Sequence, residues 1–586
     1  MLEIRDKFYL DGEEFQIISG SVHYFRTVPE YWRDRLEKLV NMGCNTVETY
    51  IPWNFHEPER GVFLWDDMHD ICRFIETAKE LKLCVILRPS PYICAEWEFG
   101  GLPAWLLKDR NMRLRCSYGP YLEAVKEYYG ELMPRIAPYQ SDRGGNIIMM
   151  QLENEYGYYG NDTAYLEFLR DTMRGMGITV PFVTSDGPWS EAVFKAGMAE
   201  GALPTGNFGS GAEWQFAQMK KFIGEDKPLM CMEFWNGWFD AWGEEHHTTA
   251  PQKAAAELDA LLERGSVNFY MFEGGTNFGF MSGKNSGNPT ADVTSYDYDA
   301  PLTEDGRLTE KYGLFKEIIS KYRRFEEVPL TTEIGRKAYG EIECSGRAKL
   351  FSELDKISSP VHSVYPLTME DIGQNYGYIL YRLPIREGET VDEIYLENAA
   401  DRVHCYRDGE YLCTVFVENM YDKFEPEEKR AGRFMEFLCE NTGRENFGTG
   451  LESQRKGISG GVKINGHRMF GYDIFPLPLD EKQLDGLDFT AGYEENRENS
   501  PAFYRFEFDA DEVCDTFLDT EGFGKGCAFI NGFNLGRFWE IGPQKRLYVP
   551  APLIRKGRNT VIIFETEGKS AGKIRLYDEP ELGGHS

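Results

Sequence analysis

Basic residues are in short supply in this 586-residue chain, where 64 lysines and arginines stand against 96 aspartates and glutamates, a formal balance of -32. Such a surface repels a phosphate backbone and an anionic bilayer alike, which excludes nucleic acid and membranes as partners. Long apolar runs are missing as well. No segment approaches the roughly 18 uncharged residues of a membrane span, and the opening "MLEIRDKFYLDGEEFQ" is charged throughout, without the apolar core of a signal peptide. A cytoplasmic protein is expected. No CxxC pair, HExxH or Cys/His cluster occurs, and the adjacent His246 and His247 lack a ligand partner at helical spacing, so no metal and no cofactor are expected. The twelve cysteines are scattered among apolar neighbours, as in "KLCVIL" and "LMCMEF", and read as buried free thiols rather than a disulfide framework. Neither GxxxxGK(S/T) nor a strand-linked GxGxxG is present, which disfavours phosphorylated substrates.

What is present is a globular composition, 42% apolar and 14% aromatic, in a chain too long for one hydrophobic core. Up to residue 325 short apolar runs alternate with amphipathic stretches: "QIISGS" then "YWRDRLEKLVNMG", "CNTVETY" then "MHDICRFIETAKELKL", "CVILRPS" then "YLEAVKEYYGELMPRI", "NIIMMQLE" then "AYLEFLRDTMRGMG". Strand and helix in turn imply parallel pairing, and about eight such units in this length predict a (β/α)8 TIM barrel over residues 1–325. Beyond it the pattern becomes short alternating strands with Gly and Asn turns, an all-β region. The interval from Tyr381 to Gly409 equals that from Tyr504 to Gly532, 28 residues each, which suggests two sandwich modules of related build. The expected division is a linker and β segment over 326–370 packing on the later modules, a first β-sandwich over 371–495 and a second over 496–586.

In a barrel of this kind the site lies at the C-terminal ends of the strands, so acids that interrupt apolar strands there are candidates for chemistry. The run "IIMMQ" at 147–151 delivers the chain to Glu153, Asn154 and Glu155; Glu48 and Tyr50 stand in "TVETY", Glu96 and Glu98 follow in "SPYICAEWEFGG", and Glu233 stands in "MCMEF". All are expected to converge on one mouth. Glu155 and Glu233 are 78 residues apart, three barrel units of about 26, which puts them on strands four and seven across the bowl. Opposed carboxylates are what glycoside hydrolysis requires, one protonated to donate to the leaving oxygen and one ionised at the anomeric carbon. Sugars also present apolar faces, and "EFWNGWFDAWG" offers Trp235, Trp238 and Trp242 beside Glu233.

The motifs "NTVETYIPWNFHEP", "RPSPYICAEWEFGGLPAWL", "QLENEYG", "MCMEFWNGW" and "YMFEGGTNFGF" resemble glycoside hydrolase family 35, the β-galactosidases, from "SGSVHYFR" near residue 19 to "TSYDYDAPL" near 302, with likeness again in "GFGKGCAFINGFNLGRFW". The resemblance implies an exo-acting retaining double displacement with Glu155 as acid/base and Glu233 as nucleophile. It also implies a galactose pocket of Tyr50, Cys94, Ala95, Glu96, Asn154, Tyr270 and Tyr298, in which Glu96 accepts from sugar hydroxyls, Asn154 holds the 2-hydroxyl and Tyr298 donates to the nucleophile. The β modules, galactose-binding-like, are assigned to framing the barrel or to subunit contacts in a homo-oligomer. His23 is read as a core histidine, Glu98 and Glu153 as bracing groups, and Tyr296 and Asp297 as supports of Tyr298. The compact, leaderless chain resembles the bacterial intracellular branch, so a small oligosaccharide with terminal galactose is the expected substrate. Trp235 and Trp238 are expected to favour β-1,3 linkages to N-acetylhexosamine. The alternatives are a related barrel glycosidase such as an exo-β-glucosaminidase, and a non-catalytic carbohydrate-binding protein.

Overall fold

Eight fully or almost fully buried segments supply the staves of a closed parallel barrel: Ile18–Val22, Thr46–Tyr50, Cys84–Arg88, Ile147–Gln151, Phe182–Asp186, Ala202–Asn207, Met230–Trp235 and Ser266–Glu273, each pairing with its sequence neighbours and the eighth with the first. The computed structural model describes residues 1–496 and 499–583. Strand four shows why these runs must lie inside. All five residues of "IIMMQ" are buried, which suits a strand covered on both faces and no other position.

Helices such as Trp32–Met42, Ile71–Glu80 and Thr163–Gly175 follow the strands and bury one stripe each against them. Local chemistry sets their starts: Asp70 accepts from the Arg73 N–H and Asp162 from the Tyr165 N–H, meeting donors that a helix end leaves unpaired. Helix Trp32–Met42 stops at Gly43, whose left-handed conformation (φ 102°) frees it to turn back into the second strand.

After the barrel come two all-β sandwiches. In the first, a six-stranded antiparallel sheet (361–363, 472–477, 378–384, 434–440, 402–407, 410–415 in spatial order) shares one core with a three-stranded sheet of 394–400, 457–464 and 467–468. The second is built around strand Gly340–Lys349, which pairs with Ala502–Ala510 at one end and with Lys573–Tyr577 at the other and so passes between its two sheets. The equal 28-residue intervals have a counterpart in both modules. Tyr381 and Tyr504 each point into the core of a central strand, and Asp408-Gly409 and Asn531-Gly532, all at positive φ, turn the hairpins that follow.

The first sandwich is fastened to the mouth of the barrel. Lys284–Asn285, on the long loop after strand eight, pairs in parallel with Glu445–Phe447, and Arg444 forms an ion pair with Glu98. Tyr92 donates to the Asn446 carbonyl. These contacts bring a β-module residue to the edge of the site.

Candidate active site

Glu233 stands two residues before the end of strand seven and lines the cavity at its mouth. Its Oε1 accepts from Arg88 Nη2 at 2.6 Å and lies 2.8 Å from the Tyr50 hydroxyl, while Oε2 accepts from Trp235 Nε1 at 3.1 Å. With a guanidinium, an indole N–H and a phenol around it, this carboxyl group is set up as a hydrogen-bond acceptor. Arg88 ends strand three, fully buried, and also reaches Asn154 Oδ1 at 2.6 Å and faces Glu48 Oε1 at 3.7 Å. One guanidinium thus ties three barrel strands together beneath the pocket.

Glu155 follows strand four in a backbone that only just accommodates it. Glu153 and Glu155 both adopt left-handed conformations (φ 56° and 46°), a cost of about 1–2 kcal/mol each for non-glycine residues. The loop is held by a bidentate pair between Arg115 and Glu153 (3.0 and 2.7 Å), by Tyr165 on the same carboxylate at 3.0 Å, and by the Glu155 N–H on the Ser185 carbonyl at 3.1 Å. Asn207 Nδ2 donates to Glu155 Oε1 at 3.1 Å, and Ser185 fixes that amide by donating to its oxygen. Burial first, and then the Glu233 charge, push the Glu155 carboxyl up to about 8, outweighing the opposing pull of Asn207 and Arg88. Glu155 therefore carries its proton at neutral pH beside an acceptor-only partner.

Asn154 is oriented without ambiguity. Its Oδ1 accepts from Arg88 and from Gln151 Nε2 at 3.1 Å, so its Nδ2 is the end that donates, at 3.3 Å to the Ile93 carbonyl, with a second N–H left over. Opposite lies a turn in which Cys94, Ala95 and Glu96 are all left-handed (φ 58°, 58° and 50°), three in succession, which aims their backbone and the Glu96 carboxyl into the cavity. Tyr296 donates to Glu96 Oε2, Arg26 donates to the Ala95 carbonyl, and burial pushes Glu96 up to about 7. The loop bearing Tyr296 and Tyr298 closes over strands seven and eight because glycines allow it: a Cβ at Gly237 would lie 1.7 Å from the Tyr298 carbonyl oxygen, and one at Gly274 1.5 Å from that of Tyr296.

The resulting cavity, about 220 Å³, is lined by Tyr50, Cys94, Ala95, Glu96, Asn154, Glu155, Glu233, Trp235, Trp238, Tyr270 and Tyr298, so every residue expected to bind or react meets in one place. Five further lining residues have no counterpart in the sequence expectations: Tyr158, Trp189 and Phe239 from the barrel, Asn285 from the loop after strand eight, and Phe447 from the first sandwich.

The expected convergence of all the strand-end acids on one mouth needs correction. Glu48, Glu98 and Glu153 do not open onto the cavity: Glu48 is buried on Ser21, Asn268 and Arg88 below it, Glu98 accepts from Arg444, and Glu153 from Arg115. Their charges are consumed by internal partners. Trp242 is buried (3% exposed) away from the cavity, because the chain after Trp238 folds under and pairs the Trp242 N–H with the Ala291 carbonyl. Tyr298 makes no hydrogen bond to Glu233; Arg88, Tyr50 and Trp235 fill that role. Tyr296 packs at a tilt beside Tyr298, ring centres 5.4 Å apart, but spends its hydroxyl on Glu96, and Asp297 accepts from the Asp299 and Glu304 N–H groups instead. His23 is wholly buried, accepts from Arg26 at Nδ1, and is held well below its ordinary pKa by burial. His246 and His247 both pair with Asp240, and no group of three metal-ligating side chains occurs among the described residues.

Comparison with known proteins agrees with this architecture. The model for "Glycosyl hydrolases family 35" matches residues 7–322, that for "Beta-galactosidase, first all-beta domain" residues 366–478, and that for "Beta-galactosidase, galactose-binding domain" residues 501–559. Human "Beta-galactosidase-1-like protein 2" is 38% identical over 588 residues, covering 98% of this chain and 91% of its own. Human "Beta-galactosidase" is 38% identical over 614 residues (99% and 88%), and "Beta-galactosidase 17" of Arabidopsis thaliana 36% over 609 residues (96% and 86%). With full-length similarity at this level and a family match across the whole barrel, the chain belongs to glycosyl hydrolases family 35, the β-galactosidase family, and is a glycoside hydrolase.

Proposed function

We propose that the protein removes terminal non-reducing β-D-galactose from small oligosaccharides by an exo-acting double displacement with retention, Glu233 as nucleophile and Glu155 as acid/base. The observation that carries the reading is the pairing of two unlike carboxyl groups on one cavity, Glu155 kept protonated by burial and by Glu233, and Glu233 ringed by donors. In the first step Glu155 gives its proton to the glycosidic oxygen while Glu233 attacks the anomeric carbon. Once Glu233 is esterified its charge is gone, the second-largest reason for Glu155 to hold a proton disappears, and Glu155 becomes the base that activates water.

Exo action fits a cavity near 220 Å³ that admits one small ring, below the roughly 300–1,000 Å³ usual for larger ligands. The free N–H of Asn154 suits the 2-hydroxyl, whose hydrogen bond strengthens as positive charge develops at the ring. Trp235 and Trp238, their rings 5.6 Å apart, would stack on the departing sugar and favour a β-1,3 link to N-acetylhexosamine. All twelve cysteines are free thiols, which fits a reducing compartment, so action on an imported oligosaccharide in a bacterial cytoplasm is part of the proposal. No helix is long and apolar enough to cross a membrane among the described residues.

Chromogenic β-galactoside and β-glucosaminide, compared in the same preparation with Glu233→Gln as control, test the sugar. Galactoside turnover lost in the variant supports the reading; preference for the glucosaminide overturns it. Equal rates on β-1,3 and β-1,4 disaccharides would end the linkage assignment alone.

A further inference from the structure

Behind the tryptophans a second cavity of about 380 Å³ opens between the sixth and seventh strand-helix units. Trp189, Trp235 and Trp238 belong to the walls of both cavities, forming a crest of indoles at 5.6 and 5.8 Å spacing between them. Trp189 and Trp238 are 43% and 39% exposed, a large apolar area for a soluble surface to leave in water. The far wall comes from helices Ala212–Ile223 and Pro251–Leu262, which contribute Gln215, Lys253 and Glu257.

These polar groups are underused. Gln215 Oε1 is buried without a hydrogen-bond partner, and the Lys253 ammonium has no ion-pair or hydrogen-bond partner among the described residues. Glu257 accepts one long bond, from the Ala212 N–H at 3.3 Å. A buried amide oxygen left unpaired carries a desolvation penalty that a hydroxyl donor would remove. Lys253 and Glu257 together, in a chain of formal charge -32, leave no net positive field for an anionic ligand. Aromatic edges beside an amide, an ammonium and a carboxylate instead match a neutral pyranose with hydroxyl or acetamido groups.

We propose that this second cavity is a binding subsite for the next sugar of the leaving group, the residue beyond the one linked to galactose. The inference rests on the β-galactosidase reading above and deepens it: the chain running out of the first cavity crosses the indole crest and sets its second acceptor ring against Gln215 and Lys253. The enzyme is then built for galactose-terminated trisaccharides and longer chains rather than for disaccharides.

The test is the ratio of kcat/KM for a galactose-terminated trisaccharide to that for the disaccharide sharing its terminal linkage, measured for the wild type and for the Gln215→Ala/Lys253→Ala double variant. Because both substrates are read in one preparation, loss of folded enzyme cancels. One or two added hydrogen bonds predict a wild-type ratio of about five to ten, falling toward one in the double variant. A wild-type ratio near one, or a ratio the variant leaves unchanged, overturns the subsite while leaving the β-galactosidase reading intact. Failure to cleave either galactoside overturns both.

Discussion

Arg88 Nη2 lies 2.6 Å from Glu233 Oε1, and the guanidinium sits 3.9 Å from the centre of the Tyr50 ring, with both cationic and phenolic side chains fully sheltered from water. The Arg88 guanidinium is a fixed positive charge offsetting Glu48, Glu233 and, at longer range, Glu155. Replacing it by Met leaves buried carboxylates uncompensated, so folding stability falls by about 3–5 kcal/mol. With Glu233 as the proposed nucleophile, activity falls by roughly 100-fold or more, because that carboxylate loses an electrostatic support. Thermal unfolding together with kcat checks both; a variant of wild-type kcat would show that Arg88 is only a packing residue.

With Glu155 as the proposed acid, its protonation is expected to set an alkaline limit. The carboxyl is raised to about 8, so it holds its proton below that pH and loses it as pH rises through it. The apparent value belongs to the Glu155 and Glu233 pair. For a galactoside with a poor leaving group, kcat/KM therefore declines above about pH 8. With Glu155→Gln the decline disappears, and the rate drops by about 10²–10⁴-fold for poor leaving groups but far less for a dinitrophenyl galactoside, which needs no proton. An alkaline limb that persists in the variant would assign it to another group.

Glu153 stands two residues before Glu155 in the same loop yet faces away from the cavity, paired to Arg115. Glu153→Ala leaves a buried guanidinium unpaired and costs about 3–5 kcal/mol of stability. A substrate contact would instead show as a raised KM with unchanged melting temperature, and that pattern would refute the bracing role.

Phe447 reaches the cavity wall from the first sandwich, its ring 5.9 Å from that of Tyr158. In the proposed reading, this wall from the second domain contacts the departing sugar. Phe447→Ala is expected to lower kcat/KM for a disaccharide by roughly tenfold, the loss of one aromatic contact, and to change hydrolysis of galactosyl fluoride, which has no acceptor sugar, by less than about twofold. Equal losses on both substrates would mean that Phe447 acts on the galactose ring itself.

The parts of the site legible in the sequence are those that obey a local rule. An acid ending an apolar strand announces itself, which is how Glu155 and Glu233 could be placed on strands four and seven before any coordinates. The same rule overreaches at Glu48, Glu98 and Glu153, since it cannot tell a carboxyl facing a cavity from one facing an arginine that is distant in the chain: Glu98 meets Arg444 across 346 positions. Arg88 could have been found, for it ends "CVILR" as an acid would. Trp189 after strand five carried a similar signal in "DGPWS". Phe447 and Asn285 left none, because their place depends on a parallel pairing between segments from different domains. Cys94 and Ala95 were reachable only through family resemblance; what they contribute is a left-handed backbone, which their residue types do not encode.

The most direct test of the assigned chemistry is to trap the intermediate. Incubation with a 2-deoxy-2-fluoro-β-galactoside carrying a good leaving group, followed by proteolysis and mass spectrometry, should give stoichiometric inactivation with the fluorosugar on the peptide "MCMEFW" at Glu233. A label on Glu155, or turnover with inversion and no covalent adduct, would contradict the account.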